Sequence, residues 1–291
     1  MTMTMATGQD SVVDDLIWLV EGHYIECDFD LTPYWHENIA ERLQTLSDHP
    51  APLYTALAEC KSHFMGSYFE TLFSFAIEHL STLIIRLEHT QIQADGRTLG
   101  EVDMLVETPI GTFHQFEIAI KFYLERPDLA PHDWIGPNKN DSLLKKVTRA
   151  RQHQLTMFTT PPGAAILDAV ANKQKADGNL LMFGRLYSAL NSQADIDAWL
   201  QQADRGGWIR VELLPRLAQH FTHYAKMKKP HWMASPSREA VSLLCAERLA
   251  AECVHAFLSD DRPVHLCLWP TTGLNRVNPS PKALFVVPEG W

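Results

Sequence analysis

The segment TLGEVDMLVETPIGTFHQFEIAIKF, residues 98–122, carries the strongest structural signal in this chain. Two runs rich in β-branched and aromatic residues lie on either side of a Pro-Ile-Gly break, which predicts two antiparallel strands joined by a turn. Both strands also carry acidic residues among apolar neighbours, and the second run has a lysine near its end. Because acidic residues are disfavoured inside sheets, this hairpin is the first candidate for a functional site.

Alternation along the two strands assigns each charged residue to a face of the sheet. Glu101 and Asp103 share one face of the first strand, and Glu117 and Lys121 share one face of the second. If the turn is centred on Ile110, Asp103 lies opposite Glu117 and the four charges lie on the same side. A shift of one residue would separate them. Two opposed carboxylates require a cation or a shared proton between them.

A set of ligands made only of carboxylate oxygens favours a hard divalent cation, Mg²⁺ or Mn²⁺. The candidate ligands on the hairpin are Asp103, Glu117 and Glu101. An amphipathic helix predicted over residues 64–80 places Glu70 beside its apolar face as a further carboxylate. A metal ion lowers the pKa of bound water, and Lys121 can reach that water or a phosphate. These are the parts that phosphodiester hydrolysis needs.

The composition limits which partners are plausible. The chain has 291 residues, is 46% hydrophobic and has a net charge of −10, so binding to a polyanion requires a local basic patch. The residues Lys139, Lys145, Lys146 and Arg149, which follow the hairpin, are the candidate nucleic-acid-binding patch. A solvated helix face is the alternative interpretation of this run.

Other signals concern the cellular setting. The five cysteines contain no CxxC pair, which argues against a disulfide framework or a zinc ribbon and favours reduced thiols in a bacterial cytoplasm. No apolar stretch is long enough for a membrane span. No GxSxG, phosphate-loop or dinucleotide glycine motif is present, which argues against serine hydrolases, P-loop enzymes and simple Rossmann enzymes.

Alternating strand-like and helical segments predict an α/β or α+β fold. We expect a disordered tail at residues 1–10, a helical lead-in with the hairpin core at 11–176, and a further α/β part at 177–291. This last part either belongs to the same compact domain or forms its own. Asp95-Gly96 predicts a second hairpin turn, and residues 238–258 predict a long helix.

The order of these elements resembles the PD-(D/E)XK nuclease superfamily: an acid on a first helix, an acid in a GEVD strand, a turn, then a strand with an acid and a lysine. The resemblance implies a central mixed sheet of restriction-endonuclease type flanked by helices. It also implies metal-binding and catalytic roles for Glu70, Asp103, Glu117 and Lys121. More narrowly, TLGEVDML, FEIAIKFYL and WIGPN resemble the uncharacterised bacterial family DUF1853 over most of the chain.

One departure from the superfamily pattern leaves alternatives open. The second acid is usually two residues before the lysine, where this chain has Ala119; Glu117 or Glu101 can take its place. The leading expectation is a metal-dependent, nuclease-like hydrolase acting on DNA or RNA. An inactive nuclease fold that serves as a nucleic-acid-binding or protein-interaction module is the alternative that Ala119 favours. A structural protein whose acidic face is only solvated is the third.

Overall fold

The computed structural model describes residues 10–60, 62, 64–236, 241–271 and 280–291. Its class is mixed α/β, with a large central mixed sheet flanked by helices, which confirms the predicted class. The α-helices of the described residues are α1 (Asp10–Val20), α2 (Ile39–Asp48), α3 (Ala51–Ala58), α4 (Met65–Leu80), α5 (Leu143–Gln152), α6 (Pro161–Val170), α7 (Gln193–Gln201) and α8 (Ala246–Phe257). The strands are β1 (Tyr24–Cys27), β2 (Ile84–Ala94), β3 (Arg97–Glu107), β4 (Phe113–Glu125), β5 (Trp134–Ile135), β6 (Ala176–Ala189), β7 (Gly206–Arg210), β8 (Phe221–Lys226), β9 (Ser242–Leu243), β10 (Val264–Pro270) and β11 (Lys282–Val287).

The strand order explains why the sheet is mixed. Hydrogen-bonded neighbours follow the order β2-β3-β4-β6-β7-β11-β10-β8-β9, while β1 pairs with β6 and β5 with β4. The strands β2, β3 and β4 are antiparallel, as expected for hairpins. By contrast, β7 is parallel to both β6 and β11.

The chain divides into two compact units. The first unit comprises Leu16–Lys121 and Leu144–Gly184. The second comprises the described residues up to Asp15, Phe122–Leu143, and those from Arg185 onwards. The domain boundary expected near residue 176 stays a prediction. Of the expected tail, residues 1–9 lie outside the described residues, whereas Asp10 already belongs to α1.

Helix α4 packs an aromatic stripe against the sheet of the first unit. Phe69 and Phe73 are fully buried, in agreement with the predicted apolar face. The Phe73 ring centroid lies 6.3 Å from that of Phe116 on β4, and the Phe69 centroid lies 5.1 Å from that of Phe183 on β6. Burying each such ring stabilises the fold by about 1.5–3 kcal/mol. This packing fixes the position of Glu70, which follows Phe69 directly.

A second apolar cluster holds the segment that follows α5. Met157 and Phe158 lie in a 3-10 helix, Gln154–Thr159, and pack with buried residues of β2, β3, β4 and α6. In addition, the Gln115 side chain on β4 donates a 2.9 Å hydrogen bond to the Gln154 carbonyl oxygen. These contacts anchor the C-terminal end of α5 close to β4.

The helix predicted over residues 238–258 is shorter than expected. Residues 238–240 lie outside the described residues, and α8 begins only at Ala246. Between them, Ser242 and Leu243 form β9, where Leu243 pairs with His223 of β8. A long-range ladder therefore overrides the local helical preference of this segment. Among the described residues, no helix is both long and apolar enough to cross a membrane.

Candidate functional site

The register of β3 and β4 is the one that the sequence predicts. The backbone pairs run from Glu107–Phe113 to Met104–Phe116, as expected for a turn centred on Ile110. Continued by one step, this register places Asp103 opposite Glu117. The acidic side chains therefore converge across neighbouring strands of the first unit.

The ladder between β3 and β4 stops at this point, and a side chain takes its place. The last backbone pair is Met104–Phe116, and the Ile118 N–H donates a 2.9 Å hydrogen bond to Oδ2 of Asp103. A carboxylate that accepts a backbone N–H is held in a fixed orientation. The two strands thus separate beyond this pair, and Asp103 lies at the point where they diverge.

Glu117 is buried, and Lys146 is its cationic partner. The residue is only 3% exposed, and its Oε1 lies 2.7 Å from Nζ of Lys146 on α5. Gln115 and Ala119, on the same face of β4, are also buried. The alternative of an acidic face that is only solvated is therefore wrong for Glu117, since this face of β4 is covered. Alternation along a strand assigns residues to a face but does not indicate whether other elements cover that face.

Asp103 has the most perturbed carboxyl group of the site. Burial, together with the negative charge of Glu117, raises the pKa of Asp103 from 3.8 to about 8. The Ile118 N–H and the charge of Lys146 lower the pKa of Asp103, but they offset only part of this rise. Without a further cation, Asp103 in the folded protein therefore keeps its proton to a higher pH than an exposed aspartate does.

Glu70 of α4 belongs to the same electrostatic cluster. Burial raises its pKa, and the negative charges of Glu101 and Glu117 raise it further, whereas His89 and Lys146 lower it. The other acidic residue of α4, Glu78, is exposed. The structure thus brings the helix acid close to the hairpin acids, as the sequence predicts. Its role as a metal ligand stays a prediction.

The predicted cationic residues occupy different places. Lys121 is partly buried on the same strand as Glu117. Lys145 and Arg149 are exposed on α5. Lys139 lies in the second unit, with its Nζ 5.1 Å from the ring centroid of Trp291. Of the predicted basic patch, the residues on α5 therefore lie in the first unit, whereas Lys139 does not. Binding of nucleic acid by these residues stays a prediction.

His89 is a residue of the site that sequence reasoning missed. It lies in β2 between the pairs Glu88–Met104 and Thr90–Val102, so it occupies the place opposite Asp103. Its φ of 44° is a left-handed conformation, which is rare inside a strand. Its Nδ1 lies 3.2 Å from Oε1 of Glu101. The Asp95-Gly96 turn alone would place His89 opposite Val102, and a register shift between Ile92 and Gln93 moves it opposite Asp103. The turn signal in the sequence therefore did not indicate this position.

The site suits a divalent cation in its donor chemistry, although it is not a preformed cage. In the described part of the chain, no group of three or more His, Cys, Asp or Glu side chains is arranged to hold a metal ion. Buried Glu117 and partly buried Asp103 nevertheless offer carboxylate oxygens, and burial together with repulsion from Glu117 raises the pKa of Asp103, so a cation there would stabilise its anion. Mg²⁺ commonly uses one or two carboxylates and completes its shell with water and substrate phosphate.

Comparisons with known proteins place the chain at the level of a family. No curated protein and no solved structure matches it. One family model, described as a domain of unknown function, DUF1853, matches residues 25–286. This match covers most of the chain and includes both strands of the acidic hairpin. The chain therefore belongs to the DUF1853 family.

Proposed function

We propose that this protein is a metal-dependent, nuclease-like hydrolase of PD-(D/E)XK type that cleaves phosphodiester bonds of DNA or RNA. The observation that carries the proposal is the neighbouring pair of buried Glu117 and partly buried Asp103, at the point where β3 and β4 separate. Keeping such groups in the interior costs stability. Strongly perturbed ionisable groups of this kind cluster at functional sites.

The residues of the site match the needs of the reaction. Asp103 and Glu117 would hold Mg²⁺ or Mn²⁺, and Glu70 would act as a further ligand or orient a bound water. Glu101 lies further out, paired with His89. When bound, the cation would neutralise phosphate charge and lower the pKa of water. Lys121 would stabilise the attacking water or the transition state.

The reaction consumes one water molecule for each bond cleaved. The water oxygen forms a bond to phosphorus while the bond from phosphorus to one ester oxygen breaks. The departing oxygen takes up a proton and becomes a hydroxyl group, and the other fragment ends in a phosphate monoester.

The exposed cations Lys145 and Arg149 on α5 support this proposal, because they can contact the backbone of the polyanion. All five cysteines are outside disulfides, which supports the reducing cytoplasm of a bacterium as the setting.

A second function is favoured by one residue. Ala119 occupies the place of the second acid in the superfamily, and it is buried, so this position of β4 itself contributes no carboxylate. This favours an inactive nuclease fold that binds nucleic acid, or another protein, without hydrolysis.

Nuclease assays with Mg²⁺ or Mn²⁺ on DNA and RNA oligonucleotides separate the two functions. Hydrolysis by the wild type that is lost in Asp103→Asn, and kept in Asp168→Asn, supports the enzyme; Asp168 is an exposed control on α6. Salt-dependent binding without hydrolysis, retained in Asp103→Asn, supports the inactive module. If the wild type shows no hydrolysis and no binding of nucleic acid, both nucleic-acid functions are refuted.

A further inference from the structure

Lys146 has an unusual position for a residue of a basic helix. Its neighbour Lys145 and the following Arg149 are exposed, whereas the Lys146 side chain is 22% exposed and its Nζ contacts Oε1 of Glu117 at 2.7 Å. The charge of Lys146 also lowers the pKa of both Asp103 and Glu70. One ammonium group therefore acts on three carboxyl groups.

From this geometry we infer that Lys146 is an internal counter-cation that a divalent metal ion displaces from Glu117, after which it binds a phosphate of the substrate. The inference rests on the proposed function, since it concerns the same site. It assigns to Lys146 two successive partners: the Glu117 carboxylate before the metal binds, and the scissile or adjacent phosphate afterwards.

Charge balance supports the exchange. A monovalent ammonium neutralises one carboxylate, and in the structure that carboxylate belongs to Glu117. A divalent cation shared by Asp103 and Glu117 would neutralise both. It would also lie within a few ångströms of the Lys146 ammonium, where two like charges repel strongly in a poorly solvated site. The two cations therefore compete for Glu117.

The helix provides a route for the displaced side chain. Lysine carries its charge on a flexible four-carbon stem, and this side chain is already partly exposed, so it can move away without unfolding α5. Its new environment would contain the exposed cations Lys145 and Arg149. A phosphate backbone, which is anionic, would be attracted to this group of positive charges.

Manganese binding to Lys146→Met tests the competition directly, because methionine keeps the unbranched shape and most of the length of the side chain but removes its charge. We expect Lys146→Met to bind Mn²⁺ about tenfold more tightly than the wild type, because a competing charge has gone. Lys175→Met, at an exposed lysine of the same unit, is the matched control and should bind as the wild type does. Equal or weaker binding by Lys146→Met would overturn the inference.

A second measurement uses the unaltered protein and so does not depend on whether the variant folds. Acylation of lysines, located by mass spectrometry, should increase several-fold at Lys146 when Mn²⁺ is added, and should not change at exposed Lys175. A Lys146 signal that Mn²⁺ leaves unchanged would contradict its displacement.

The inference and the proposed function can fail separately. Tighter Mn²⁺ binding in Lys146→Met, with no hydrolysis by the wild type, supports the exchange of cations and refutes the nuclease. Hydrolysis by the wild type, with unchanged Mn²⁺ affinity in Lys146→Met, leaves the nuclease standing and overturns the exchange. Absence of Mn²⁺ binding in both proteins overturns the exchange.

Discussion

Replacing Asp103 by asparagine should change how the stability of this protein depends on pH. The pKa of Asp103 is raised from 3.8 to about 8 in the folded chain. The folded state therefore keeps a proton that the unfolded state loses near pH 4. This contribution to stability is fully present below pH 4 and is lost as the pH rises towards 8. Asp103→Asn is neutral at every pH, and its amide oxygen can still accept the Ile118 N–H.

The size of the effect follows from the shift. The rise in the pKa of Asp103 from 3.8 to about 8, at 1.36 kcal/mol per pKa unit, sets a ceiling of about 6 kcal/mol. Because Asp103 and Glu117 titrate as a coupled pair, we expect about 2–3 kcal/mol to appear for Asp103 alone. Relative to the wild type, Asp103→Asn should therefore be about 2–3 kcal/mol more stable at pH 9 than at pH 5, when no divalent metal is present.

Urea unfolding followed by circular dichroism at pH 5, 7 and 9, with a chelator, measures this difference. Asp168→Asn, the exposed control, should follow the wild type at each pH. Parallel pH profiles for the wild type and Asp103→Asn would refute the reasoning, since they would mean that Asp103 ionises normally in the folded protein.

Three further predictions concern other parts of the molecule. Gly184→Ala should destabilise the protein by about 3 kcal/mol or more in urea unfolding, because the added Cβ would overlap the Lys121 carbonyl oxygen and the φ of Gly184 is 142°. An unchanged free energy of unfolding would contradict this packing. Iodoacetamide should alkylate exposed Cys245 long before Cys253, because burial raises the pKa of the Cys253 thiol to about 11. Equal alkylation rates for the two cysteines, measured by mass spectrometry, would contradict this prediction. Burial lowers the pKa of His265 well below 6.5, so the wild type should lose stability as the pH falls below 6.5, and His265→Gln should lose less. Identical acid-unfolding curves for the two proteins would count against a neutral buried imidazole.

Local sequence signals predicted the hairpin of the site well. The alternation of β3 and β4 and the break between them determine a register that the backbone pairs confirm. The apolar stripe of α4 placed Glu70 next to buried Phe69, and the structure brings Glu70 into the same cluster. These predictions succeed because periodicity and turn position depend on residues that are close in sequence.

Features set by distant parts of the chain were not predictable in the same way. The burial of Glu117 depends on what covers its face of β4, and its contact with Lys146 spans 29 residues. Sequence reasoning placed Lys146 on a basic helix face, which is where its neighbours lie. Similarly, β9 forms through pairing with β8, and nothing local in Ser242 and Leu243 indicates this. Such contacts arise from packing between elements.

The central claim is that Asp103 and Glu117 together bind a divalent metal ion, and calorimetric titration of Mn²⁺ tests it most directly. The titration compares the wild type with Asp103→Asn, and is repeated with a nucleic-acid oligonucleotide present so that substrate can complete the site. We predict binding of Mn²⁺ by the wild type that Asp103→Asn loses. Absence of binding by the wild type in both conditions, or equal binding by the two proteins, would contradict the claim.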